Sequence, residues 1–309
     1  MAKGITMLMV IWMHSTNNMP KVPEFDFINR FISIMYMPCF FLISGFFLKN
    51  EHYRIFCQKR IKTLIWPMLF VYVLSYVFAL AVCSIKPELL KNNVSFWNIF
   101  FSRNFTNGPI WFLSALFFSL NVVYFIRKSS NEWLRWILAF CVCAVGFYWN
   151  RFVEWRLPLF FDTGLTAVGF VFVGSYIRRV MNGMNRRAVL LCLAVVCYVY
   201  ASLWGVGCSM QNNLYSGHLP TFFLSAIAGS IIVLAVSKCI SNNQMLQYIG
   251  RNSLVILCFH MFVLMGTSFI IKKIVNDGCV ALVICFAVTA IMSVAIIPII
   301  KRILFFVFK

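Results

Sequence analysis

Runs of about 18 or more nearly uncharged residues recur along this chain. Such a run is the length of α-helix that crosses the hydrocarbon core of a bilayer. The runs fall at roughly 4–19, 31–48, 64–85, 109–126, 133–149, 160–177, 188–205, 219–237, 253–271 and 280–300. They predict an all-α, polytopic integral membrane bundle of about ten transmembrane helices. A β-barrel would instead show alternating segments of about ten residues, and the sequence has none. No polar insertion, low-complexity stretch or internal repeat interrupts the series, so residues 1–309 read as one membrane domain.

Composition agrees: 62% of residues are hydrophobic and only 11% charged, too few to cover a water-exposed globule. The net charge of +19 raises the question of nucleic acid. The basic residues sit between the apolar runs, where topology uses them, and form no continuous basic face; no nucleic-acid partner is expected. With the 49–63 segment (Lys49, Arg54, Lys59, Arg60, Lys62) in the cytoplasm, alternation brings Arg127, Lys128, Arg135, Arg178, Arg179, Arg186, Arg187, Lys238 and Arg251 to the same side, with Lys3, Lys301, Arg302 and Lys309. That is 18 of the 27 Lys and Arg. A two-to-one bias predicts both chain ends in the cytoplasm and an even number of spans; the expected location is the cytoplasmic (inner) membrane. The first run is short, about sixteen residues from Gly4 against the roughly 20 needed to cross. No small-residue cleavage site follows it, so an uncleaved first helix is expected, with a natural start a few residues further upstream.

The twelve cysteines lie mostly inside apolar runs, as Cys83, Cys192, Cys258 and Cys285 do. Without CxxC or zinc-like Cys/His spacing they read as small buried hydrophobes, and no metal is expected.

Ionisable groups inside a membrane are expensive and point to function. Of the acidic residues only Asp162 enters an apolar segment. His14 lies ten residues past Gly4, about 15 Å along a helix, and His260 seven past Ser253, about 10 Å. Both runs go outward from the cytoplasm, so the two imidazoles reach intermediate depth and could share one polar cavity. Imidazole suits a general base near neutral pH; a hydrogen-bonded structural histidine would sit at the same depth. His52 and His218 fall in connections and read as solvated.

The segments carrying these residues resemble the acyltransferase-3 family of membrane O-acyltransferases, which modify sugars of bacterial cell-surface polysaccharides. AKGITMLMVIWMHS is similar to its opening motif. MPCFFLISGFFLK, FCQKRIKTLIWP, GPIWFLSALF, LPLFFDTGLTAVGFVFVGSYIRR and LQYIGRNSLVILCFH follow in the family's order. The family's hallmark is an arginine, ten intervening residues and a histidine. His14 takes the histidine position; Lys3 stands for the arginine, keeping the charge and losing the planar fork. The resemblance implies His14 as the catalytic residue, with Lys3 at the position of its basic partner; His260 joins the catalytic set by its depth, to orient His14 or contact the acceptor. It implies Lys59, Arg60 and Lys62 as the contact to an acyl-CoA donor, with acetyl-CoA expected. Ser44, Trp111, Asp162, Arg251 and Asn252 become candidates for substrate contact. Blander roles stay open: Lys59 and Arg60 also serve as topology signals, Trp111 as an interfacial anchor, and Arg251 with Asn252 as a cap of the ninth helix.

The activity implied is transfer of an acyl group, acetyl by expectation, from acyl-CoA to a hydroxyl of a carbohydrate or glycolipid acceptor. The alternative is a transporter or flippase of a lipid-linked glycan or small solute. That reading lacks the paired broken spans and intramembrane carboxylates transporters use. A non-catalytic scaffold would leave the deep histidines unexplained.

Overall fold

The computed structural model describes residues 1–85, 95–100, 107–180, 195, 198, 199, 207–240 and 242–308. Among the described residues there are twelve α-helices: α1 (Ala2–Asn18), α2 (Asp26–Phe46), α3 (Tyr53–Arg60), α4 (Trp66–Ile85), α5 (Trp111–Ile126), α6 (Glu132–Phe152), α7 (Phe161–Val180), α8 (Leu219–Cys239), α9 (Gln244–Arg251), α10 (Ser253–Ile274), α11 (Gly278–Ala295) and α12 (Ile297–Ile303). Among the described residues, eight helical segments are long and apolar enough to cross a membrane. The chain is therefore a helical integral membrane protein. α1, with 17 residues, is a shorter ninth candidate. The run expected at 188–205 and most of the 86–108 and 178–187 connections lie outside the described residues. One antiparallel pair of two-residue strands, β1 (Cys208–Ser209) and β2 (Leu214–Tyr215), closes a hairpin.

Several hydroxyls inside the helices are satisfied by their own backbone, as lipid favours. The hydroxyls of Ser15, Ser44, Ser75 and Ser230 each donate to a carbonyl one turn back. The 49–63 segment is not a loop throughout. α3 runs into α4 through a π-helical turn, Ile61–Ile65, in which the Trp66 N–H reaches back to the Ile61 carbonyl. Pro67 explains the turn, since it has no N–H for the preceding carbonyls and its ring crowds the one four residues back. Lys59, Arg60 and Lys62 thus ride on a helix that continues into a span.

The described residues fall into two compact units. One comprises Met1–Leu48, Phe170–Met210 and Leu214–Arg302. Here α1 is central, packing on α2, α8, α9, α10 and α11. Three close approaches depend on glycine. A Cβ on Gly4 would overlap the Leu246 carbonyl of α9; one on Gly45 of α2, the Val171 carbonyl of α7; one on Gly174 of α7, the Leu42 carbonyl of α2. The last two form a reciprocal backbone-to-backbone contact, the small-residue packing that lets membrane helices meet where the hydrophobic effect gives no drive. At the other end of α1, Met19 and Val22 join Leu264, Ile271, Leu282 and Cys285 in an apolar cluster.

The second unit comprises Lys49–Gly169, Gln211–Asn213 and Ile303–Lys309. α5 packs on α6 and on the π-helical turn. Asn213 holds it together with a left-handed backbone (φ 51°). Its amide donates to the Gly146 carbonyl (2.9 Å) and its Oδ1 accepts from Thr166 (3.3 Å).

Candidate active site

α1 is the element that builds the site. Lys3, Met7, Val10 and His14 follow the i, i+4, i+7, i+11 spacing of one helix face. The imidazole of His14 is half-buried and lies beside that of His260 on α10, with ring centroids 5.2 Å apart and planes at 49°. The shared depth read from the sequence is thus a direct neighbourhood.

His260 is fully buried. Its Nδ1 contacts the carbonyl oxygens of Ile256 (2.9 Å) and Leu257 (3.0 Å). Carbonyls only accept, so Nδ1 must carry the proton and Nε2 is left as a lone-pair acceptor. That Nε2 has no hydrogen-bond partner. A buried acceptor without a partner costs about 1–3 kcal/mol; its nearest aromatic neighbour of complementary chemistry is His14. Ring edges at this separation come within reach of a hydrogen bond by a small rotation of either ring.

Lys3 points from the start of α1, with Nζ 5.5 Å from the centroid of the Phe47 ring. Eleven helical rises separate it from His14, about 16 Å. Its ammonium cannot touch an atom that His14 deprotonates, so the two act at different points along any shared ligand.

The basic trio is unequal in its surroundings. Lys59 pairs with Glu51. Arg60 is half-buried, its guanidinium 5.3 Å from the Phe56 ring centroid and its Nε without a hydrogen-bond partner. Lys62 is exposed.

Among the substrate-contact candidates, Trp111 is only 4% exposed and faces the Phe160 ring at 6.2 Å. That burial does not suit an anchor at the lipid headgroups. Asp162, fully buried, is held by Arg156. Nε donates to one carboxylate oxygen, and Nη2 donates to the other (3.1 Å), to Thr163 (3.2 Å) and to the Gln211 carbonyl (3.1 Å). The same guanidinium lies 5.6 Å from the Phe160 ring centroid. Arg156 and Phe160 therefore join Trp111 and Asp162 in one cluster. The signal for Arg156 in the sequence was opposite charge, six residues before the lone carboxylate of an apolar run. Leu159 and Phe160 both have left-handed backbone (φ 55° and 58°), a conformation that costs a non-glycine residue about 1–2 kcal/mol. This strained turn carries Phe160 into the cluster.

Ser44 spends its hydroxyl proton on the Phe40 carbonyl (2.8 Å) and retains only acceptor capacity. Arg251 is exposed and Asn252 buried at the junction of α9 and α10. Asn252 does not cap α10 with its side chain; its amide donates to Tyr248 (2.8 Å) and its Oδ1 has no partner.

Residues 1–300 match the model of a family described as an acyltransferase domain, acyltransferase-3. No curated protein and no solved structure matches the chain.

Proposed function

The chain belongs to the acyltransferase-3 family, and on that premise we propose that it transfers an acyl group, acetyl foremost, from acyl-CoA to a hydroxyl of a cell-surface carbohydrate or glycolipid. The observation that carries this reading is the His14–His260 ring pair at 5.2 Å, with the proton of His260 committed to backbone carbonyls.

His14 is the general base. A small rotation of either ring lets the Nε2 of His260 accept the N–H of His14, which fixes the ring and leaves its other nitrogen to take the proton of the acceptor hydroxyl. The hydroxyl oxygen bonds to the thioester carbonyl carbon, and charge develops on the carbonyl oxygen. The carbon–sulfur bond then breaks, and the coenzyme leaves as a thiol once His14 returns the proton. His260 is in this scheme a positioning residue.

The stripe on α1 suits the donor. The pantetheine arm of coenzyme A, from phosphate to sulfur, is a chain of about thirteen bonds and spans roughly 16 Å when extended. That matches the distance along α1 from Lys3 to His14. A phosphate beside Lys3 therefore leaves the thioester at the depth of His14. Lys59, Arg60 and Lys62 supply further cations for the donor's phosphates at the cytoplasmic face. The 18-of-27 basic bias supports both chain ends on that face, and the cytoplasmic membrane is the location this reading requires. Ser44, Trp111, Asp162, Arg251 and Asn252 are held as acceptor-side candidates, with Asp162 acting through its Arg156 pair.

The test is His14→Gln, which keeps hydrogen-bonding capacity and similar size but cannot act as a base. Normal membrane abundance with transfer reduced by at least about 10²-fold, the lower end for loss of a general base, is expected. Near-normal transfer by the purified variant would sink the mechanism.

A further inference from the structure

The Lys49–His52 connection and the end of α5 meet at a corner that the reading above does not use. Arg127 donates from Nη2 to Asn50 Oδ1 (2.8 Å), and the Tyr124 hydroxyl donates to the Glu51 carbonyl (2.9 Å). Between the two segments lies a cavity of about 240 Å³ lined by Lys49, Asn50, Glu51, Tyr124, Arg127 and Lys128. Three of these residues are cations and one an acid, and the acid is already paired with Lys59. The cations are shaped as well as present. The bond to Asn50 orients the Arg127 fork, and Lys128 Nζ lies 5.1 Å from the Tyr124 ring centroid and 5.6 Å from that of Phe125. Neither Lys49 nor Lys128 has a carboxylate partner among the described residues. A topology signal needs only positive charge near the headgroups. It does not need three charges converging on a concave site with a neutral amide between them.

We propose that this cavity is a phosphate-binding site. A guanidinium fork with two ammonium groups is the donor set that recognises phosphate oxygens. The volume falls below the roughly 300–1,000 Å³ that engulfs a whole small molecule, so it holds a terminal group. Two ligands present such a group here: the 3′-phosphate of coenzyme A and the headgroup of an anionic lipid. The coenzyme source rests on the acyl-CoA reading above; the site itself does not.

The test uses the full chain in maltoside micelles, which carry no phosphate, titrated with coenzyme A and with 3′-dephospho-coenzyme A. Coenzyme A is expected to bind at least about tenfold more tightly, as loss of a charge-assisted contact implies. Arg127→Gln with Lys128→Gln should erase that preference. Lys49→Gln with Lys128→Gln should act in the same direction; it removes two ammonium groups that make no side-chain hydrogen bond among the described residues, and so guards against misfolding. The lipid arm reconstitutes the chain in nanodiscs of phosphatidylcholine with phosphatidylglycerol and counts the phosphatidylglycerol retained by native mass spectrometry. Equal binding of the two coenzymes by the unaltered chain, with retained phosphatidylglycerol lost in the variants, keeps the phosphate site and assigns it to lipid. If neither coenzyme preference nor lipid retention changes in either variant, the site is overturned. Failure of the unaltered chain to bind either coenzyme sinks the acyl-CoA reading; lipid retention alone then upholds the cavity if the variants lose it and overturns it if they do not.

Discussion

Two carbonyl oxygens, those of Ile256 and Leu257, decide which nitrogen of His260 carries its proton. A side chain that acts only by orienting its neighbour should show a specific energetic pattern. His260→Gln is expected to lower the rate by less than His14→Gln does. The doubly substituted chain should be no slower than His14→Gln alone, because residues that act as a unit are not additive. Initial rates of the three purified variants check this; additive losses would mean that His260 contributes separately. Asp162 invites a different experiment. Removing one partner of a buried ion pair typically costs about 3–5 kcal/mol, so Asp162→Asn should lower the thermal midpoint in detergent. An unchanged midpoint with a raised acceptor KM would instead make Asp162 a direct substrate contact. The sequence made the depth of His14 and His260 legible, since depth is a matter of counting along a helix. It did not reveal Arg156, because that partnership depends on the left-handed turn at Leu159 and Phe160, which no residue type there announces.

At the scale of single elements, the long spans were legible because a twenty-residue apolar run admits few alternatives in lipid. Shorter pieces were not. α9 has eight residues, and β1 and β2 two each, below the length at which periodicity speaks. The polar residues of α3 suggest a loop, although the chain stays helical through the π turn. Gly45 and Gly174 show what fixes α2 against α7. Gly174→Ala is expected to destabilise the fold by about 1–3 kcal/mol, the usual cost of overpacking, and to reduce abundance in the membrane. Gly266 on α10, around which a Cβ would meet nothing within 4 Å, is the matched control. Gly266→Ala should be neutral or stabilising by about 0.5–1 kcal/mol through helix propensity. Thermal midpoints of the two variants side by side decide it.

For the molecule as a whole, the basic bias makes a claim about sidedness that the fold can be used to test. Asn50 is exposed beside the proposed phosphate cavity, and Leu214 is 58% exposed on the strand hairpin. In a background cleared of the twelve native cysteines, an impermeant thiol reagent applied to intact cells should label Leu214→Cys and spare Asn50→Cys. The reverse pattern would invert the topology and with it the side from which the donor arrives. The convergence of Lys49, Arg127 and Lys128 was hidden for a related reason: sidedness can be counted from sequence, but the folding of connections at one face cannot. The reciprocal glycine contact also has a consequence for genetics. What a new methyl group on Gly45 or Gly174 meets is a carbonyl oxygen, and every amino acid carries one. No second change at the facing residue can make room, so loss-of-function alleles at these two positions should yield no local suppressors. Gly229 is the opposite case, since a methyl there meets the side chains of Met35 and Tyr198. Suppression of Gly229 alleles is open to side-chain change but needs it at both neighbours: a smaller residue in place of Tyr198, and glycine in place of Met35, whose Cβ is the atom met.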